Sequence, residues 1–519
     1  MTRALPRLTA AVLAATLLPV AAVGAIAVTG AGVAAAGPCS EMFGNFGSLL
    51  EHRTGAGMGA GSLGSLGSSD AAGSTGSASR ALGSADRSGS LVGQLETGSL
   101  GNGLSGSLNA VTGSVYGMPP WITGEEGTVP VLRGPTRFLQ LVTGPTSPTE
   151  SISRYGVAGT DLGIMWDNGD AADPQVLMAF GDTMGDCTIP GNQWRSNVLF
   201  RSADTDLSDG LSIDSAATGA DGLAKSIVPR SGLPGEVTII PTAGISVNGV
   251  QYLRFMSVAA WGQPGSWTTN YSGVAYSTDN GENWTVVPAM ARPITAAVPL
   301  GDGAPPVDPD WRTAQMSSFL TSGEHLYEYL TPSGRQGAVV LARVPLAGSP
   351  SPTELDDTAT GPPRGGVLDP AAYAYWDGSA WVPDVRDAES VLPAPASELS
   401  VMWNDYLGRY TAMYSQGYNS VALRTADHPE GPWSAPTTLV DYSVLPGVYG
   451  GFMHPWAQGE DLYYLVTTWN AYNVFLVRTR LSEVVLTPGR SAAPAGPAAT
   501  QVIRQIPVSD LQAGVVPTR

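Results

Sequence analysis

Lysine is almost missing from this chain. Lys225 is the single one among 519 residues, and the 26 cationic side chains face 44 carboxylates, for a formal net charge of −18. A surface of that sign cannot displace the counterions of a phosphate backbone, which excludes nucleic acid as a general partner. Charged residues of both signs reach only 13%, about half the usual share of a soluble domain. Cysteine is scarce too: Cys39 and Cys187 stand alone, with no CxxC or Cys/His cluster, so a zinc ribbon or an iron–sulfur protein is excluded. The four histidines, His52, His325, His428 and His454, are too scattered for a metal motif, and no cofactor is implied. Long stretches of helical periodicity are also lacking. In their place are 65 Gly and 41 Pro, which exclude a mostly helical enzyme, while 43% hydrophobic residues suffice for a sizeable core.

The two ends speak to compartment. Arg3 and Arg7 precede Leu8 to Ala36, where no charge occurs, and Ala34-Ala35-Ala36 before Gly37 fits a signal-peptidase site. The segment reads as a signal peptide over 1–36, with an uncleaved membrane anchor as the alternative; export to the outside or to the cell envelope is expected. Pro38 immediately before Cys39 departs from a lipobox, and in an oxidising compartment two cysteines suggest a Cys39–Cys187 disulfide, with two unpaired thiols as the alternative. Residues 61–110 hold 12 Gly and 13 Ser, and no aromatic lies between Gly47 and Val115. Such a segment cannot bury enough apolar surface to offset its ordering entropy, so 37–119 reads as a disordered tether. All 13 Trp fall between Trp121 and Trp469, which bounds the folded domain at about 120–486 and leaves 487–519 as a Pro/Ala-rich tail, strand-like only from Gln501 to Val508. A monomer is expected.

Inside 120–486, short β-rich runs alternate with Gly, Pro, Asn and Asp clusters, an all-β pattern. Ser277-Thr278-Asp279-Asn280-Gly281-Glu282-Asn283-Trp284 matches the Asp-box, S-x-D-x-G-x-T/S-W, with Asn283 in place of the hydroxyl residue. Asp and Gly make a tight turn and the Trp packs beneath it, so the motif marks the outer hairpin of a propeller blade rather than catalysis. Looser echoes run from Tyr375 to Trp381 and from Thr425 to Trp433. Five runs that open on or beside a polar residue are candidates for the innermost strands: Thr160–Ile164, Glu236–Ile240, Gln315–Phe319, Glu398–Met402 and Gly450–His454. Their spacing fits five four-stranded blades, a five-bladed β-propeller, with a pair of β-sandwiches as the alternative.

A propeller's site lies where loops converge at one end of its channel. Asp161, Glu236 and Glu398 head three inner strands, and Asp182, in Phe180-Gly181-Asp182-Thr183, ends the strand that pairs with the first. Two carboxyl groups, one protonated and one ionised, are what glycoside hydrolysis requires. The alternative for each is structural: Asp182 tying a turn, Asp161 capping its strand, Glu236 or Glu398 pairing with a channel arginine. Asp167, Asn168, Asp170 and Asp173 form an acidic loop whose spacing matches no calcium motif, and it reads as a hairpin tip. His454 is placed near the axis, with a core histidine as the alternative. Trp194, Trp267, Asn270, Tyr271, Trp403, Asn404 and Tyr449 suit stacking on sugar faces and bonding to hydroxyls, with blade packing the alternative for most of the Trp.

The runs Thr160-Asp161-Leu162-Gly163, Phe180-Gly181-Asp182-Thr183, Trp194-Arg195-Ser196-Asn197, Trp267-Thr268-Thr269-Asn270-Tyr271, Glu398-Leu399-Ser400-Val401 with Trp403-Asn404, and Tyr449-Gly450-Gly451-Phe452 resemble, in order, the family first described as domain of unknown function 4185. That family is now treated as glycoside hydrolase family 183, the endo-D-arabinanases of actinobacteria. The resemblance covers about residues 155–480 and implies a five-bladed propeller that cleaves internal α-D-arabinofuranosyl bonds of arabinogalactan and lipoarabinomannan. It implies an acidic pair on Asp161 and Asp182, with Glu236 and Glu398 as further catalytic candidates. Arg195, Asn197 and Gln315 join the aromatic and amide residues and His454 as candidates for substrate binding. Met184 stands where an aromatic residue is expected. A non-catalytic carbohydrate-binding propeller is the alternative of another class, and the Asp-box suggests a sialidase, against which stand the missing Arg-Ile-Pro motif and arginine triad.

Overall fold

A computed structural model of the chain describes residues 128–186, 193–295, 303–356, 365–418, 420–469, 471–484, 486 and 500–512. The expected export segment and tether, and both cysteines of the expected disulfide, lie outside these. The described residues form a five-bladed β-propeller. The first blade is built from Leu162–Asp167, Val176–Phe180, Val198–Ser202 and Ser215–Ala216. Thr238–Val247, Val250–Trp261, Trp267–Ser277 and Thr285–Pro293 make the second. The third runs from Met316–Ser322 through His325–Thr331 and Val339–Pro345 to Ala374–Trp376 and Trp381–Val382, with Ser390–Leu392 also paired to its third strand. Ser397–Asn404, Arg409–Ser415, Ser420–Ala426 and Thr437–Asp441 are the fourth.

The fifth blade closes the ring. Val448–Met453, Asp461–Thr468 and Asn473–Arg480 receive their outermost strand, Thr136–Leu141, from the start of the domain. Each inner strand touches the next, and Val448–Met453 returns to Leu162–Asp167. The five inner strands begin within two residues of the expected starts, which rules out two sandwiches. Middle strands such as Val-Leu-Met-Ala-Phe at Val176–Phe180 are buried throughout. Covered on both faces by neighbouring blades, they read as continuous apolar runs rather than alternating ones.

The domain limit at 486 needs one correction. Gln501–Pro507 pairs antiparallel with Thr128–Arg133, and Ile506, Val508 and Leu511 join the hydrophobic core beside the fifth blade. Part of the tail therefore belongs to the folded body, because its apolar side chains cover that blade's outer edge.

The Asp-box performs the turn its residues suggest. Asp279 accepts from the Ser277 hydroxyl at 2.7 Å and the Asn283 N–H at 2.9 Å, while the Asn283 amide donates to its other oxygen at 2.7 Å, replacing the usual hydroxyl. Gly281 sits at φ +79°, and a Cβ there would lie 2.7 Å from Leu199, so only glycine fits. Trp284 then packs edge-on to Trp166 of the first blade. Both echoes are also outer hairpins: Trp376 and Trp381 face each other across one, and Trp433 of the other packs against Tyr329 of the third blade. The acidic loop is the tip of the first hairpin, with Asn168 buried and accepting from the N–H groups of Asp170 and Gln175.

An ionic triad lies fully buried between the second and third blades. Glu328 accepts from Arg254 Nε at 3.0 Å, from Arg292 Nη1 and Nη2 at 2.9 and 2.7 Å, and from the Ser317 hydroxyl at 2.6 Å. Burial by itself raises a carboxyl pKa, but the two guanidinium groups override it and hold Glu328 at about 2.

Candidate active site

In each blade the chain runs outward strand by strand, so inner strands start at one end of the channel and the loops joining second to third strands lie at that same end. The described residues of the five such loops, 181–186 and 193–197, 262–266, 332–338, 416–418, and 469 with 471–472, lie there. Four of the loops, through Gly262–Ser266, Arg335, Tyr418 and Trp469, line a cavity of about 220 Å³. Its lining is largely apolar and aromatic, with Trp261, Trp267, Tyr418, Tyr449 and Trp469 on its wall, and its charged groups are Asp161, Glu398 and Arg335.

Asp161 is fixed from the fifth blade. The Tyr449 hydroxyl donates to its Oδ2 at 2.9 Å, and burial raises the Tyr449 pKa well above its ordinary value, so the phenol remains a donor. Gly181 allows the close approach on the other side, since a Cβ there would lie 2.4 Å from Asp161 Oδ1. Asp182 follows directly and is 3% exposed. Its Oδ1 accepts from the Thr238 hydroxyl at 2.6 Å and from Trp194 Nε1 at 3.1 Å. Asp182 is not among the residues lining the cavity. Leu162, next to Asp161, has φ +72°, and Glu398 has φ +41°. Side chains rarely take that region, and such strain persists only where surrounding contacts over-determine it, here the Leu162 N–H bonded to Thr467 Oγ1 and the Glu398 ion pair.

Glu398 is paired with a channel arginine, the structural alternative set out for it above. Arg335 Nε lies 3.0 and 2.8 Å from its two oxygens and Nη2 lies 2.5 Å from Oε1. Burial would lower the Arg335 pKa, yet the Glu398 carboxylate more than offsets that and raises it. Glu236 lies away from the cavity. Its oxygens accept from the Ser231 N–H and hydroxyl and from the Ser257 hydroxyl, at 2.6, 3.0 and 2.6 Å. Asn270 donates to that same Ser257, and Tyr271 is buried beside it.

Of the candidate binding residues, Trp267 and Tyr449 line the cavity. The structure does not bring the others to its wall. Trp194 bonds Asp182. Arg195 is spent on the carbonyls of Ala224 and Gly156, and burial lowers its pKa to about 10. Asn197 is fully buried between the backbones of Ile227, Val228 and Ile239, and Gln315 between Thr269, Arg292 and Trp311. Trp403 and Asn404 end their inner strand, at the far end of the channel, where Asn404 ties a turn and Trp403 bonds Asp405. His454 lies beyond the far end of Val448–Met453, 1% exposed, and burial lowers its pKa to about 4, so it is a neutral core histidine.

Arg335, Tyr418 and Trp469 belong to none of the motifs that mark candidate site residues, yet all three line the cavity. Tyr418 and Trp469 are 43% and 44% exposed at the cavity mouth. If they stack on sugar rings there, Tyr418→Ala and Trp469→Ala each raise KM about 2- to 10-fold with kcat nearly unchanged, which steady-state kinetics on D-arabinan will measure.

The chain belongs to the family described as domain of unknown function DUF4185, which matches residues 146–478. Notoamide biosynthesis cluster protein J' of Aspergillus versicolor is 30% identical over 345 residues, 62% of this chain and 84% of that protein. Notoamide biosynthesis cluster protein J of Aspergillus sp. (strain MF297-2) is 29% identical over 347 residues, 62% and 82% of the two chains. Among solved structures, a putative hydrolase from Bacteroides ovatus aligns over 63% of this chain and 86% of its own, at 13% identity and TM-score 0.38. The GH62 α-L-arabinofuranosidase catalytic domain of Coprinopsis cinerea aligns over 67% and 98%, at 10% identity and TM-score 0.36. Likenesses that distant carry no information on substrate or mechanism.

Proposed function

We propose that the protein is an exported glycoside hydrolase of the cell envelope that cleaves internal α-D-arabinofuranosyl linkages of arabinan, with Asp161 and Asp182 as its acidic pair. The observation that carries this reading is the Asp161 carboxylate on the wall of an aromatic cavity at the loop end of the channel, packed against Gly181, the residue before Asp182. A carboxyl group on the wall of an apolar cavity and a second close to it in sequence supply the parts of glycosidic cleavage. Asp161, beside a guanidinium and a phenol donor, is the ionised member, acting on water or on the anomeric carbon. Asp182 gives its proton to the departing sugar oxygen as the C–O bond breaks. The order of TDLG, FGDT and the later motifs supports D-arabinan as substrate, and the uncharged leader and Gly/Ser tether support a site of action outside the membrane.

A second reading, a binding propeller without catalysis, is favoured by the engagement of Glu398 with Arg335 and by the absence of Asp182 from the cavity lining. A sialidase is disfavoured because Arg335 is the one arginine among the residues lining the cavity. Incubation of the purified protein with D-arabinan and with sialyl-lactose separates these readings. Oligosaccharides from D-arabinan alone support the hydrolase, binding without release supports the second reading, and sialic acid from sialyl-lactose overturns both.

A further inference from the structure

One side chain of the third blade contacts the second, fourth and fifth, and through Tyr449 it is linked to the first. Arg335 sits on the loop between the second and third strands of the third blade, and its N–H donates to the Gly265 carbonyl of the second blade at 2.8 Å. Its guanidinium lies 5.8 Å from the ring of Trp267, also of the second blade. The fork grips Glu398 of the fourth blade. The guanidinium also lies 4.3 Å from the centroid of Tyr449 of the fifth blade, and the hydroxyl of that tyrosine holds Asp161 of the first. A planar cation can bond in its plane and stack on both faces at once, which a lysine ammonium cannot.

We propose, building on the hydrolase reading above, that Arg335 is the positioning residue of this site: clamped by Glu398, it seats the Tyr449 ring so that the phenol stays on Asp161, and its charge favours the carboxylate form of Asp161. Three features of the pair fit this role and not plain stabilisation. Both partners line the cavity, whereas the ionic triad around Glu328 is sealed between blades. Glu398 accepts a left-handed backbone to make the contact. The charge of Asp161 is among those that raise the Arg335 pKa, so by reciprocity Arg335 stabilises ionised Asp161.

The titratable groups of this network are Asp161 of the first blade, Arg335 of the third, which feels both Asp161 and Glu398 of the fourth, and Tyr449 of the fifth, which feels Asp161, Arg335 and Tyr472. Their signs give opposite expectations for two variants. Arg335→Met removes the cation and leaves Glu398 as a nearby anion, so Asp161 is harder to ionise. Glu398→Gln removes the anion and leaves the cation, so Asp161 is easier to ionise. Arg335→Lys keeps the charge but loses the fork and the stack.

The test is a carboxyl-carbon NMR titration of the full-length protein with labelled aspartate, the Asp161 signal being assigned by its loss in Asp161→Asn. The expected result is a midpoint that rises in Arg335→Met, falls in Glu398→Gln and stays near wild type in Arg335→Lys. In parallel, the acid limb of the pH profile on D-arabinan moves to higher pH in Arg335→Met, and kcat falls by roughly 10- to 100-fold in both arginine variants through misplacement of the reacting groups. An unmoved midpoint in Arg335→Met, or the same direction of shift in Arg335→Met and Glu398→Gln, overturns the proposal. Should Arg335→Met fail to fold, the fall in Glu398→Gln against an unshifted Arg335→Lys decides it. Wild-type protein that releases nothing from D-arabinan refutes the hydrolase reading alone, because the titration does not depend on turnover.

Discussion

Asp161→Asn and Asp182→Asn each lower turnover of D-arabinan by ~10² to 10⁴ while the cooperative melt is retained, the loss expected when a general acid or base is removed. Asparagine keeps the shape of aspartate and one acceptor oxygen. The Tyr449 phenol can still donate at position 161, and Thr238 with Trp194 at position 182. What disappears is the exchangeable charge. The wild-type profile is bell-shaped, since one group must be ionised while the other is protonated. Residual activity of Asp161→Asn loses the acid limb and that of Asp182→Asn the alkaline limb. Steady-state rates from pH 4 to 9, with calorimetric binding of an arabinan fragment, separate lost chemistry from lost affinity. Wild-type rates in both variants would remove the pair from the mechanism and return the second reading to the front.

The fold was legible because a propeller repeats its grammar. Polar residues at the head of inner strands and the Asp-box with its echoes gave five blades, and the starts at Leu162, Thr238, Met316, Ser397 and Val448 fall within two residues of those expected. The closure by Thr136–Leu141 and the pairing of Gln501–Pro507 with Thr128–Arg133 were not legible as pairings, because nothing local in a strand names a partner more than 300 residues away. At the site, the family motifs picked out Asp161, Asp182 and Tyr449, which the structure groups at one end. The same motifs contain Arg195, Asn197 and Asn404, whose polar atoms are consumed by backbone groups, a fate decided by packing that residue type cannot disclose. Arg335, Tyr418 and Trp469 sit in short loops without motif character. A signal for them did exist. Once strands are counted, each second-to-third loop must lie at the end where inner strands begin, so Pro332-Ser333-Gly334-Arg335, Gly417-Tyr418 and Trp469 are placed by topology alone.

Glu328→Gln costs about 3 to 5 kcal/mol of stability at neutral pH, because it leaves Arg254 and Arg292 buried with no compensating charge. Arg254 is 0% exposed and Arg292 4%, so neither guanidinium can turn to water instead. The carboxylate also carries a pH signature. Its folded pKa of about 2 lies below the ordinary 4.5, so the unfolded chain binds the proton more readily, and stability falls as acid is added. The contribution, about 3 kcal/mol on this linkage, is complete above about pH 4.5 and is lost as pH drops toward 2. Urea midpoints of wild type and Glu328→Gln should therefore converge between pH 4.5 and 2 and stay apart above it. Asp384→Asn, which removes an exposed partner of Arg386, should leave the midpoint where it is, since a surface pair is screened by solvent. The converse replacement sharpens the argument. Changing Arg254, Glu328 and Arg292 together to apolar residues of similar volume should recover most of the loss, because the triad's attraction is largely offset by the desolvation of its three charges. Ser317, which donates to Glu328 and also lines the cavity, would then lose its acceptor. A triple variant as stable as wild type but altered in KM would show that the triad fixes the cavity wall more than it stabilises the fold.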